Sequence, residues 1–234
     1  MTEAGNLLYD TDAISIRSLS VSEMDNNVYL LTSKVSRAQV LIDAAAEFEH
    51  ISKFVTAAAG EDLGGEDGGV QLAEKKPVAV ITTHSHWDHI RALPAAVEAF
   101  TLATYCGAAD AAAIEQQEGV QVQNLLTGGE LLTFGDIELE VIALRGHTPG
   151  SIALVYRGND LADSPTLIFT GDSLFPGGVG KTNSPEDFKQ LLGDVRERIF
   201  DVFDDNTVVL PGHGKHTTLG ADRGNLGEWE ARGW

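Results

Sequence analysis

The chain has 234 residues, enough for one large domain or two small ones, with the 43% hydrophobic and 22% charged content of an ordinary soluble fold. Its formal charge of −19, with acids spread along the whole length, disfavours nucleic acid and anionic membrane surfaces and serves solubility. No apolar run reaches membrane-spanning length, the acidic N-terminus lacks the plan of a secretory signal, and the lone Cys106 excludes an intrachain disulfide, so a cytoplasmic protein is expected.

In chain order, short apolar strands are predicted at 26–33 (NNVYLLTS), 38–44, 77–83 and 100–106. A second series follows at 137–144, 151–157, 166–172 and 206–212. Helices are predicted at 47–58 and 87–99, on either side of the third strand. The segment 60–70 (GEDLGGEDGGV) is acidic and Gly-rich with no periodicity, and reads as an exposed mobile loop. A further helix is expected over 185–203, with Ser184 as N-cap, Pro185 in the first position and Asp187 adding acid to the first turn. Phe188, Leu191, Leu192, Val195 and Ile199 follow helical spacing there and are expected in the core. Two strand series with helices between them suggest two sheets packed face to face with helices outside, in a single α/β domain spanning 1–234. There is no internal repeat or linker, and no feature fixes an oligomeric state.

The chemistry concentrates at strand ends. In "THSHWDH" (83–89), His84, His86, Asp88 and His89 follow directly on an apolar strand and place three of the seven histidines in one heptapeptide. Imidazole and carboxylate are the usual ligands of zinc and similar divalent ions. A single histidine is more often a satisfied core or surface residue, but four ligand-type groups in six positions point to a metal site. His147 in "RGHTPGS", Asp172 in "TGDSLF" and His213 in "PGHG" repeat the pattern after later strands, each flanked by glycine. His50 and His216 are read as non-ligands, and Cys106 as a buried structural thiol. Seven groups exceed the needs of one tetrahedral ion and suit two ions sharing a carboxylate. Two such ions leave the cavity net positive and lower the pKa of water towards ~7, which equips a hydrolase. Zinc is the first expectation, with iron or manganese as alternatives. Asp88 is in addition expected to orient the attacking hydroxide and carry its proton.

"HSHWDH", "GHTPGS", "GDSLF" and "PGHG", in this order, resemble the motifs of the metallo-β-lactamase superfamily, from about Asn26 to Gly220. The resemblance implies a four-layer αββα sandwich, two mixed sheets flanked by helices, with metals at one edge. Within the superfamily the chain is most similar to glyoxalase II-like hydrolases. That similarity implies one metal on His84, His86 and His147, another on Asp88, His89 and His213, and Asp172 between them. It also implies a small acyl-thiol substrate. The chain departs from the glyoxalase II pattern at "GGVGKTN", where a Gly-Cys-Gly-Arg/Lys stretch is usual. Only 21 residues follow His213, and the segment 214–234 resembles the short tail of single-domain members. Lys181 and Arg145 are the cationic candidates for the carboxylates of a substrate thiol. "GGVGKT" imitates a phosphate-binding loop, but Phe175 stands where the first glycine is required.

The leading expectation is thus a metal-dependent hydrolase of a thioester. A persulfide dioxygenase using one iron is the runner-up, followed by a lactonase or other ester hydrolase. A secreted β-lactamase is disfavoured by the missing signal and a nuclease by the charge. A non-catalytic binding module is disfavoured because all seven ligand groups are present.

Overall fold

The strand Asn26–Ser33 is buried along its entire length, and its alternate residues serve two different cores. Val28 and Leu30 pack among helical side chains such as Ile51, Phe54 and Leu93, whereas Tyr29 and Leu31 face a second sheet through Ile137, Leu139 and Leu154. A strand apolar on both faces must lie between two layers. The strand Ile152–Tyr156 does the same in the other sheet: Ile152 and Leu154 point to the intersheet core, Ala153 and Val155 to a third cluster with Leu191 and Val195. Helix, sheet, sheet and helix therefore stack as four layers.

The computed structural model describes residues 3–63, 77–158 and 165–233. The first sheet contains β1 (Asn6–Asp10), β2 (Ile14–Val21), β3 (Asn26–Ser33) and β4 (Gln39–Ile42). After α1 (Phe48–Leu63) come β5 (Ala79–Thr82), α2 (Trp87–Ile90), α3 (Leu93–Phe100), β6 (Ala103–Gly107), α4 (Ala111–Glu118) and β7 (Asn124–Leu126). β1 to β4 pair antiparallel and β4 to β7 parallel. The second sheet has β8 (Leu131–Phe134), β9 (Ile137–Ala143), β10 (Ile152–Tyr156) and β11 (Leu167–Gly171) in antiparallel order. The short hairpin β12 (Leu174–Phe175) and β13 (Gly178–Val179) and the helix α5 (Pro185–Val195) lead to β14 (Val208–Pro211), which joins β11 in parallel. β15 (Thr217–Thr218) closes that edge, followed by α6 (Leu219–Asp222) and α7 (Leu226–Arg232). Both sheets are mixed, as expected.

Several boundaries differ from the sequence reading. Helix 87–99 is two helices, because Pro94 lacks an amide proton and its ring would clash with the carbonyl of Ile90, four residues earlier. Helix 185–203 ends its α-helical part at Val195 and continues as a π-turn over Arg196–Phe200, where the Asp201 amide donates to the Arg196 carbonyl. The expected loop at 60–70 begins as helix: Gly60 to Leu63 finish α1. Asp62 is held there by the buried Arg17 of β2, whose Nε lies 2.9 Å from its Oδ2. Residues 64–70 lie outside the described residues. The described part of the tail, 214–233, is built into the fold, since Trp229 of α7 is buried against Phe200.

Candidate metal centre

The ligand-type residues follow the carboxyl ends of β5, β9, β11 and β14, at one rim of the stacked sheets. Backbone hydrogen bonds fasten the sheets to each other at this point. Ile152 N–H donates to Thr83 O at 2.9 Å and Asn27 N–H to Gly212 O at 2.8 Å. Side-chain volume is excluded at two positions by close approach. A Cβ on Gly180 would collide with the Asp172 carbonyl, and one on Gly212 with the Asp172 carboxylate and the His89 ring.

All seven sequence-derived residues converge. Three sets of ligand atoms, those of His84, His86 and His147, of His84, His89 and Asp172, and of Asp88, His89 and His213, each lie within 4.8 Å of one another. Asp172 stands between the halves: Oδ2 is 3.7 Å from His147 Nε2 and 3.3 Å from His213 Nε2, and Oδ1 is 3.3 Å from His89 Nε2. His89 and His213 bring their Nε2 atoms to 3.0 Å of each other, two ring nitrogens aimed at a common point. Among the described residues, the buried His84 Nε2, His147 Nε2 and Asp172 Oδ1 have no hydrogen-bond partner. Orphaned buried nitrogen and carboxylate atoms in this pattern fit divalent ions.

Four of the five imidazoles, those of His84, His89, His147 and His213, are aimed by a hydrogen bond at the far nitrogen. His89 Nδ1 lies 2.9 Å from Asp43 Oδ2, His147 Nδ1 2.6 Å from the Lys181 carbonyl, and His213 Nδ1 2.8 Å from the Met24 carbonyl. Thr83 Oγ1 sits 3.0 Å from His84 Nδ1 and itself donates to Asp43. Such partners fix the tautomer and the ring orientation of a ligand. Asn26 Nδ2 donates to Asp88 Oδ2 at 3.0 Å. Asp43, Asn26 and the Met24 carbonyl were not singled out in the sequence. A signal for Asp43 exists, since it ends a strand one position after an apolar run, and its φ of 59° is uncommon outside glycine.

The charges divide. Burial, reinforced by His89, holds the His84 imidazole well below its usual pKa, so it is neutral and able to ligate. Burial also lowers His147. Burial opposes charge on His89 too, but Asp172 and Asp43 outweigh it and hold its pKa at about 9. For His213, Asp172 and Asp88 outweigh burial and raise it to about 10. Asp88 and Asp172 stay well below the usual carboxylate range, the histidines overcoming the cost of burial.

The two cationic candidates part company. Lys181 lines an open pocket of about 400 Å³ beside His147, together with Val179, Phe188 and Arg232. Arg145 is instead engaged by Asp194, with Nε at 3.0 Å and Nη2 at 2.9 Å from the two carboxylate oxygens. Its guanidinium braces the His147 loop while its side chain stays about half exposed. Arg232 joins Lys181 on the wall of that pocket and was not singled out in the sequence. His50 pairs with Glu47 on the surface and His216 packs on Tyr29, both apart from the centre.

Residues 25–213 match the metallo-beta-lactamase superfamily. The chain belongs to that superfamily. Among its relatives, the probable metallo-hydrolase YqgX of Bacillus subtilis is 31% identical over 68% of this chain and 80% of its own. The persulfide dioxygenase ETHE1 of Mus musculus is 30% identical over 80% of this chain and 63% of its own. The hydroxyacylglutathione hydrolase GloC of Haemophilus influenzae is 35% identical over a shorter stretch, 41% of this chain and 42% of its own. Of solved structures, di-iron-bound TTHA1623 superposes with a TM-score of 0.64 at 28% identity, over 88% of this chain and 96% of that one. ETHE1 from Myxococcus xanthus gives 0.69 at 24% identity, over 92% and 84%. A metallo-beta-lactamase fold with this histidine cluster implies divalent metal binding. Among the described residues, no helix is long and apolar enough to cross a membrane.

Proposed function

We propose that this chain is a two-metal hydrolase that cleaves thioesters of small 2-hydroxy acids. The observation that carries the reading is the placement of Asp172, within 3.7 Å of ligand atoms on both halves of the centre. In this reading His84, His86 and His147 hold one ion, Asp88, His89 and His213 the other, and Asp172 is shared. Zinc is the first choice of ion, iron and manganese the next.

Bound there, the ions supply an acidified water of pKa near ~7 and a Lewis acid for the thioester carbonyl. The residues do the rest. Asp88, kept ionised and oriented by Asn26 and His213, accepts the proton of the attacking water and passes it to the departing thiolate as the C–S bond breaks and the C–O bond forms. His84, His89, His147 and His213 keep their far nitrogens engaged, so their positions do not relax during the reaction. Lys181 and Arg232 draw the anionic part of the thiol into the neighbouring pocket; among the described residues, no acidic side chain lines it. The thiol Cys106, buried and pushed up to about 12, takes no part and suits work in a reducing cytosol.

A second reading, persulfide dioxygenation with a single iron, is favoured by the mouse ETHE1 match over 80% of the chain. One experiment separates them. Purified protein is assayed for metal content, thiol release from S-lactoyl thioesters, and oxygen uptake with a low-molecular-weight persulfide. Two ions per chain and thiol release without oxygen uptake support the hydrolase, and Asp172→Ala then lowers the occupancy of both sites. One firmly bound iron with persulfide-dependent oxygen uptake overturns it.

A further inference from the structure

Asp110 stands at the N-cap position of α4, where an aspartate ordinarily accepts from amides of its own first turn. It does nothing of the kind: its side chain makes no cap hydrogen bond. It is 1% exposed, and its carboxylate reaches out of the helix to the two loops that carry the first histidine set. Oδ2 accepts from the Ser85 amide at 2.7 Å and the Thr148 hydroxyl at 2.6 Å, and Oδ1 from the Gly150 amide at 2.7 Å. Ser85 lies between His84 and His86, and Thr148 directly follows His147. One buried carboxylate thus ties together, each at one bond's remove, the three imidazoles of the proposed first metal site. The approach is backbone-tight, since a Cβ on Gly150 would collide with Asp110 and one on Gly107 with the Gly150 carbonyl.

The second set is braced by other groups. Asn26 holds Asp88, Asp43 holds His89, and the Met24 carbonyl holds His213. Resting on the two-metal reading above, we propose that Asp110 is the positioning residue of the first site alone, setting the separation between the His84–His86 loop and the His147 loop. A neutral amide cannot replace it. Asn offers one acceptor oxygen where three donors converge, so its NH2 group must face a donor. Loss of such a partner of ligand-bearing groups ordinarily weakens metal affinity about 10- to 100-fold.

The test is stepwise titration of metal-free protein with Zn2+ against a competing chelator, with Co2+ absorption as a second readout. Asp110→Asn should weaken one of the two binding steps about 10- to 100-fold and leave the other within about threefold. In a His86→Ala background, where the first site is already lost, Asp110→Asn should have no further effect on the remaining step. Thr148→Val, which removes one of the three hydrogen bonds, should show the same selectivity in smaller measure and serves if Asp110→Asn does not fold. Asp62→Asn, which removes one of the two carboxylates paired with the buried Arg17 of β2, should lower the melting temperature and change neither step. Equal weakening of both steps, or a loss of melting temperature with both affinities intact, overturns the positioning role. A wild-type protein with fewer than two binding steps overturns the two-metal reading itself.

Discussion

Asp88 shows how a single residue carries two duties in this centre. Its Oδ2 is 3.1 Å from His213 Nε2, and Asn26 holds it from the other side. Asp88→Asn keeps the shape and one ligating oxygen but cannot take a proton. Turnover should fall by about 100-fold or more with little change in KM, the range for loss of general acid–base catalysis. Steady-state kinetics decide, and a loss confined to KM would remove the proton-carrying role. A pH dependence follows from the histidines. In metal-free protein His89 keeps its proton up to about 9 and His213 up to about 10, so near neutrality an incoming cation must displace protons. Metal affinity should therefore drop as pH falls from 8 to 6, with proton release visible by calorimetry in buffers of different ionisation heat. An affinity independent of pH would contradict the protonation described. All seven ligand-type residues were legible in the sequence because histidine and aspartate crowd where strands stop. Asp43 and Asp110 were not. A strand-end or turn aspartate has an ordinary local reading, and the partners that give these two their roles lie 25 to 46 residues away in the chain.

Among the elements, α5 is the one whose start the sequence marked most fully. Ser184 caps the Asp187 amide at 3.1 Å and donates to the Asp187 carboxylate at 2.8 Å. Ser184→Ala should cost about 1 kcal/mol in urea unfolding while leaving metal content unchanged. A fall in metal content would mean that the α5 terminus supports the His147 loop more directly than its contacts indicate. The central strands were equally legible, since uninterrupted apolar runs suit sheets covered on both faces. Other elements were not, β1, β2 and α4 among them. Asn6–Asp10 and Ile14–Val21 escaped because Ser15, Arg17 and Ser18 break the apolar run, although the fold buries all three and pairs Arg17 with Asp62. α4 escaped because its sequence, AAAIEQQE, buries only Ile114 and so lacks an amphipathic stripe. Beyond that small packing face, Asp110 and Gln117 both tie it to Ser85 of the first histidine loop.

At the scale of the molecule, the centre joins two sheets that otherwise meet through side chains of the intersheet core. Ions held there would brace the sheets against each other. Removing them with a chelator should lower unfolding free energy by about 4 kcal/mol for each ion lost, relative to protein with free metal at ~1,000 times its dissociation constant. Calorimetric melting with and without chelator measures this, and coincident melts would show that the centre contributes nothing to cohesion. The same joining of sheets has a consequence for how the protein is supplied with metal. The donors run from His84 to His213 and leave four strands of two sheets, so the centre comes into being only when most of the chain is already in place. Long-range pairing of this kind forms late. The ion is then chosen at the end of maturation, by a finished cradle sampling whatever the surrounding pool offers, and not by a nascent segment during synthesis. Which divalent ion occupies a set of nitrogen and oxygen donors depends on site geometry, ligand type and metal availability together. The same polypeptide, folded in zinc-rich or iron-rich surroundings, would therefore leave the assembly line as different holoproteins with one architecture.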